Sequence, residues 1–248
     1  MRSLFQTFIV IATICLFTSC KKTNETETEP EIPFSGCHVV KIENSGTAPF
    51  FITYTPGGKL NTITHGTVVS TFTYTNNGFV RSFTDENDLI AKDFYVFDTE
   101  GKLVSLRYEY YGQYGTELHV QNNEYEYFNK QPFRNNVSTN SGFPDYRDMY
   151  TWTNGDLTKI ETSSANGTFT MTYDTDKAYR EGDYGFVNFI TGGTFSFKNE
   201  HLITSITKGT SKQLFSYIYD ADGKIISLYV GTNANSSYMN YNLTYECL

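Results

Sequence analysis

The chain is poor in the residues on which most enzyme chemistry depends. Trp152 is its single tryptophan, and its four histidines, His38, His65, His119 and His201, are widely scattered. None falls in a His-Glu-x-x-His or similar local metal-ligand spacing. There is no Gly-x-Ser-x-Gly elbow, no phosphate-binding glycine loop and no cysteine beside a plausible histidine partner. No metal and no cofactor is therefore expected, and the chain reads as a non-enzyme. The least favoured alternative is a hydrolase whose site is assembled from distant residues. Helix formers are scarce, with few Leu and Ala. Basic side chains are also short, 19 Lys and Arg against 27 Asp and Glu for a formal net charge of −8. That balance argues against nucleic acid or an anionic lipid surface as partner. Long apolar runs are absent except for Phe5 to Phe17, which Gln6, Thr7 and Thr13 interrupt and which is too short to span a bilayer comfortably.

That run follows a basic residue, Arg2, and precedes Thr18, Ser19 and Cys20, the three parts of a secretion signal. Leu16-Phe17-Thr18-Ser19-Cys20 resembles the bacterial lipobox. The resemblance implies cleavage after Ser19 and acylation of Cys20, with Phe17 in the place usually held by Leu. Several acyl chains on one residue suffice for stable anchoring, since each buried methylene adds about 0.8 kcal/mol. The stretch from Lys21 to Pro33 is polar, acidic and almost free of large apolar groups, so it reads as a flexible tether. Lys21 after the cysteine resembles outer-membrane sorting. The location expected is the cell envelope, as an outer membrane lipoprotein, with periplasmic and surface-facing placements both open. Removal of residues 1–19 takes away Arg2 and no acidic group, so the exported chain would be one charge more negative.

Of the four cysteines, Cys15 would leave with the signal and Cys20 would carry lipid, which leaves Cys37 and Cys247 at opposite ends of the remaining chain. An even count in an exported protein favours a disulfide between them, which would join the first and last strands. Two separate buried thiols are the alternative.

What the chain has in abundance is aromatic: 20 Tyr and 20 Phe, which with Thr favour strands. They recur in a phrase of an alternating aromatic strand, a polar turn with Gly, and an aliphatic strand. Copies run from Phe51 through Gly58 to Ile63, Phe72 through Gly78 to Phe83, Phe94 through Gly101 to Leu106, Tyr150 through Asn154-Gly155 to Ile160, and Phe215 through Gly223 to Leu228. Phe195 to Ile206 is a further short-turn copy. The last aromatics before each turn are Tyr54, Tyr74, Phe97, Tyr127, Trp152, Tyr173, Phe197, Tyr219 and Tyr245. Their spacing is that of one hairpin plus its connection. Alternation such as Phe72-Thr73-Tyr74 puts rings on one face and hydroxyls on the other. Asp98-Thr99-Glu100-Gly101 and Asp220-Ala221-Asp222-Gly223 fit a type I turn followed by a left-handed Gly bulge, and Asn154-Gly155 fits a primed two-residue turn. Aliphatics three apart after the turn, such as Leu103 and Leu106, require either a bulge or a strand covered on both faces.

Tyr219-Asp220-Ala221-Asp222-Gly223-Lys224-Ile225, and next Phe97-Asp98-Thr99-Glu100-Gly101-Lys102-Leu103, resemble the YD repeats of RHS-type bacterial shell proteins. Residues 37–248 are similar to uncharacterised single-domain lipoproteins of Bacteroidota built from such units. The resemblance implies an all-β chain of repeated antiparallel hairpins laid into a long curved sheet or partly closed barrel-like shell, and implies no activity. The organisation expected is a signal peptide over 1–19, a lipidated Cys20 with its tether over 20–36, and one hairpin-repeat domain over 37–248.

Two acidic clusters invite a calcium reading. Asp220 and Asp222 are explained better by their turn, while Asp174, Asp176, Glu181 and Asp183 are the stronger candidate, though ordinary acidic loops account for them too. Aromatic side chains exposed on a sheet stack on sugars, and Trp152, Tyr110, Tyr111 and Tyr114 are the candidate ligand contacts, the remaining rings being assigned to packing. The function expected is a non-catalytic, envelope-anchored binding or scaffold module with a glycan or an envelope protein as partner. A carrier of an apolar ligand within a curved β shell is the alternative.

Overall fold

The computed structural model describes residues 36–112, 118–140, 144–164, 167–178, 199–232 and 239–247. Among them run sixteen strands, beginning with β1 (Cys37–Asn44), β2 (Phe50–Tyr54), β3 (Leu60–His65), β4 (Val68–Thr75), β5 (Gly78–Asp85), β6 (Asp88–Phe97), β7 (Leu103–Tyr111) and β8 (Leu118–Phe128). They continue with β9 (Gln131–Thr139), β10 (Tyr146–Thr153), β11 (Asp156–Thr162), β12 (Thr168–Ala178), β13 (His201–Lys208), β14 (Ser211–Tyr219), β15 (Ile225–Thr232) and β16 (Met239–Cys247). Each strand pairs with its neighbours in sequence, and β1 pairs with both β2 and β16, so the shell is a closed antiparallel barrel without an edge.

The turns have the chemistry their residues demand. Gly58, Gly101 and Gly223 stand at φ of 76°, 78° and 77°, in the left-handed bulge position after a four-residue turn. The Asp98 carboxylate accepts the backbone N–H groups of Glu100 and Lys102, both at 2.9 Å. Asp220 repeats this with Asp222 and Lys224 at 3.0 and 2.8 Å. These amide bonds give the Asp220–Asp222 pair its structural role. Asn154 and Gly155 both have positive φ, 50° and 84°, as the primed turn requires.

The three-residue spacing of the aliphatics comes from bulges. Tyr95 pairs with Leu106 and Phe97 with Leu103, so Val104 is the extra residue, and both leucines turn inward and are buried. The same offset places Leu60 with Ile63 and Ile225 with Leu228. It recurs where the chain ends meet: Val39 pairs with Tyr245 and Ile42 with Leu243, with the register shifting between Val39 and Lys41.

A ring of aromatic ties belongs to this offset. Tyr54 donates its hydroxyl to the Val39 carbonyl at 2.9 Å, Tyr74 to Leu60 at 3.0 Å and Tyr127 to Leu103 at 2.8 Å. The Trp152 indole donates to Pro132 at 2.7 Å, and the Tyr173, Tyr217 and Tyr245 hydroxyls to Leu157, Ile203 and Ile225 at 2.6, 2.7 and 2.7 Å. Each tie runs from an even-numbered strand to a carbonyl at the start of the strand before it, and each adds about 1 kcal/mol. Phe97 on β6 has no hydroxyl to give, and Phe197 lies outside the described residues. On β14 the donor is Tyr217, one alternation step before Tyr219.

All these ties lie at one end of the barrel. Cys37 and Cys247 are directly opposed in the closing ladder and bonded sulfur to sulfur, with Cα atoms 4.0 Å apart, at that same end. Apolar side chains crowd there. Val39, Ile42, Ile52, Ile63, Phe72, Leu202, Phe215, Ile225 and Leu228 form one buried cluster, and Tyr95, Leu103, Leu106 and Tyr125 a second, with Phe79 packed against both.

Two glycines separate steric overlap from backbone strain. A Cβ on Gly78 would lie 1.8 Å from the Tyr95 carbonyl oxygen, whereas one on Gly101 would meet nothing within 4 Å. Gly101→Ala is expected to cost about 1 kcal/mol through its left-handed φ alone, and Gly78→Ala about 3 kcal/mol because backbone must move. Urea midpoints at unchanged m-value check this ranking, and equal losses would contradict it.

Candidate ligand-binding interior

Residues directly opposed on neighbouring strands share a face, so the registers trace which polar groups line the inside. Phe72 and Tyr95 are buried and inward. In phase with them, Arg81 opposes Asp93, Asp93 opposes Tyr108, and Tyr108 opposes Gln121. Farther round, Leu106 opposes Asn123, Tyr125 opposes Asn135, Asn135 opposes Asp148, and Asp148 opposes Thr162. The inner wall of β5 to β11 thus carries a polar belt at mid-height, between the apolar packing of the disulfide end and the opposite rim.

The belt is hydrogen-bonded along its length. Gln121 donates its amide to Asn123 Oδ1 at 3.4 Å, and Asn135 donates to the same oxygen at 3.1 Å and to Asp148 at 3.4 Å. Asn123 in turn donates to the Leu106 carbonyl at 3.0 Å. At the other flank the Arg81 guanidinium donates to Ser70 at 3.2 Å and lies 4.2 Å from the centre of the Phe83 ring, a cation over an aromatic face. Phe79 stacks on Tyr95 with centroids 4.3 Å apart.

Burial tunes the charges. It pushes the Asp93 carboxyl up to about 6 against the opposing pull of Arg81, and it raises Asp148 despite hydrogen bonds from Thr162 and Asn135. The phenols of Tyr95, Tyr108, Tyr125 and Tyr150 are all raised by burial first, so they stay protonated and neutral. Asn135 is 3% exposed, yet its Oδ1 has no hydrogen-bond partner. Asn44 Oδ1, His65 Nδ1 and Asp85 Oδ1 share that state on the inner face nearer the far rim.

Toward the far end the described inward residues become more exposed. Along β7 the inward residues run from Leu103 at 1% exposed, through Leu106, to Tyr110 at 49%. Leu89 and Met239 are likewise exposed at that rim, as is His119.

The sequence candidates fall in different places. Trp152 is part of the aromatic tie ring. Tyr110 sits toward the far rim, its ring 6.4 Å from that of Tyr108. Tyr111 is on the outer face, its hydroxyl donating to Glu109 at 2.7 Å. Tyr114 and Cys20 lie outside the described residues, as do Glu181 and Asp183. Asp174 accepts the backbone N–H of Asp176 at 3.1 Å. The belt itself was missed from sequence. Its signal is alternation phase: in Ala91-Lys92-Asp93-Phe94-Tyr95, Asp93 keeps step with the buried Ala91 and Tyr95.

A pairing of distant residues does occur at the disulfide end, where Asp156 accepts the His201 backbone N–H at 2.9 Å and its Nδ1 lies 2.8 Å from the same carboxylate. With Glu200 N–H donating to the Gly155 carbonyl, this pins the start of β13 beside the β10–β11 turn. A concavity of about 740 Å³ over β8 to β11 is lined by Glu124, Asn136, Val137, Arg147, Met149 and Glu161.

No family description matches the chain, and no curated protein is found to be similar to it. Among solved structures, a porin-like protein from Bacteroides uniformis ATCC 8492 shares the fold at 14% identity and a TM-score of 0.57, covering 88% of this chain and 99% of that one. A porin-like protein from Bacteroides vulgatus ATCC 8482 does so at 16% identity and 0.59, covering 85% and 100%.

Asp93 gives a pH signature. Its folded-state affinity for a proton exceeds the unfolded one, so the stabilisation is present below about pH 4 and is lost as pH rises through about 6. Asp93→Asn lacks this titration. The stability of the variant relative to the parent should therefore rise by on the order of 2 kcal/mol between pH 4 and pH 6.5. Urea unfolding across that range tests it, and a gap independent of pH would refute the burial account.

Proposed function

We propose that the chain is a non-catalytic binding barrel of the cell envelope, tethered through lipid on Cys20 and taking a polar ligand at the belt. The observation that carries this reading is the division of the wall into two faces. Outside, Thr53 and Thr62 share a hydroxyl hydrogen bond of 2.7 Å, and Lys41–Glu43, Arg107–Glu109 and Lys159–Glu161 form ion pairs of 2.7, 2.6 and 2.7 Å. A barrel that crosses a bilayer needs an outward apolar band roughly 25 Å tall, and basic groups at its midplane cost about 2 to 4 kcal/mol each. This outer face suits water.

The apolar-carrier alternative finds little support, because the apolar sector is filled by its own side chains, with Ile42, Leu106, Ile225 and Leu228 wholly buried.

Purified barrel added to a planar bilayer should give no conductance steps, and stable ion-conducting steps would overturn the water-facing reading. For the anchor, Cys20→Ala should move the protein from the detergent phase to the aqueous phase. Unchanged partitioning would refute lipidation.

A further inference from the structure

Resting on that reading, we infer that the ligand taken by the belt is a neutral carbohydrate, bound by its ring hydroxyls to Gln121, Asn123, Asn135 and Asp148 and by a ring face to the neighbouring tyrosines. The row from Gln121 to Asp148 consists of planar groups, and in the amides each offers an acceptor beside donors. Successive hydroxyls of a sugar ring ask for that spacing of both roles. Aliphatic and ionic ligands do not. The tyrosine rings supply the second requirement, flat faces with a polar edge, with the Tyr108 ring 6.4 Å from that of Tyr110.

Two further observations direct the choice. The Asn135 Oδ1 atom is buried without a partner, and Tyr108 stands opposite Gln121 in the ladder. Both belong to the belt, and an unfilled buried acceptor is a standing cost that a hydroxyl donor removes. Charge selects neutrality. Arg81 faces Asp93 across the ladder, and Asp148 has its neighbours Thr162 and Asn135 as neutral partners. The belt therefore holds no surplus cation to attract a uronic acid, a sulfated sugar or a phosphate.

Isothermal titration of the full-length exported protein with three probe sets tests the inference. The sets are neutral mono- and oligosaccharides, uronic-acid oligosaccharides, and free amino acids with dipeptides. A neutral saccharide should bind saturably. Asn135→Leu and Tyr108→Phe should each weaken it tenfold or more, while Tyr127→Phe, in the tie ring, leaves the Kd within twofold. Circular dichroism and thermal melting verify the fold of each variant. Should Asn135→Leu fail to fold, Tyr108→Phe, which deletes one hydroxyl, decides alone. Saccharide binding untouched by the belt variants overturns the assignment of the site. Belt-sensitive binding of only the acidic sugars or the amino acids overturns the ligand class and leaves the binding reading standing. No binding by any probe overturns both.

Discussion

The structure depends on the meeting of β1 with β16. An open sheet of this length would present two rows of unpaired backbone groups, each a template for aggregation, and closure removes both at once. The closing ladder is built like every hairpin beside it. Val39 and Ile42 occupy the paired aliphatic positions, a bulge sets them three apart, and Tyr54 donates to the Val39 carbonyl as Tyr127 does to that of Leu103. Only the turn is missing, and the Cys37–Cys247 bond stands in its place. A cross-link joining residues 210 apart in sequence removes far more freedom from the unfolded chain than a short turn does, on the order of 5 kcal/mol in the chain-entropy account.

Closure also determines what the interior can be. A sixteen-strand wall is wide, and this chain fills one end with rings and aliphatic groups while keeping the belt polar. The disulfide end is cross-tied for a local reason, since seven of its aromatics donate a hydrogen bond to a neighbouring strand. The polar belt adjoins that tied end, and its amides and carboxylates are positioned by backbone registers on strands rather than by loops. Such placement suits recognition of a ligand by direction as well as by contact.

Much of this architecture was legible in residue order. Alternation of rings with hydroxyls marked the strands, and Asp and Gly marked turn types that Gly58, Gly101, Asn154 and Gly155 adopt. The spacing of Leu103 and Leu106 left a bulge and a doubly covered strand equally open, because a sequence records the offset and not the pairing that causes it. Full closure was out of reach for a related reason: it depends on twist summed around the whole wall. The belt escaped notice because alternation was followed for rings and hydroxyls and not for Asp, Asn and Gln. Phase would have shown Asp93 and Asn123 turning inward with Tyr95 and Tyr125. The tie ring explains why the last aromatic of each unit is so often Tyr: a phenylalanine packs equally well but cannot cap the carbonyl exposed by the bulge.

Because a covalent bond takes the role of one connection among many equivalent ones, the position of the termini is incidental to the architecture. Joining residues 37 and 247 through a short peptide and opening the chain at another connection would generate a circular permutant with the same neighbour relations in every ladder. The repeat is therefore a ring in the topological sense, and the ladder between β1 and β16 is one seam among sixteen equivalent ones.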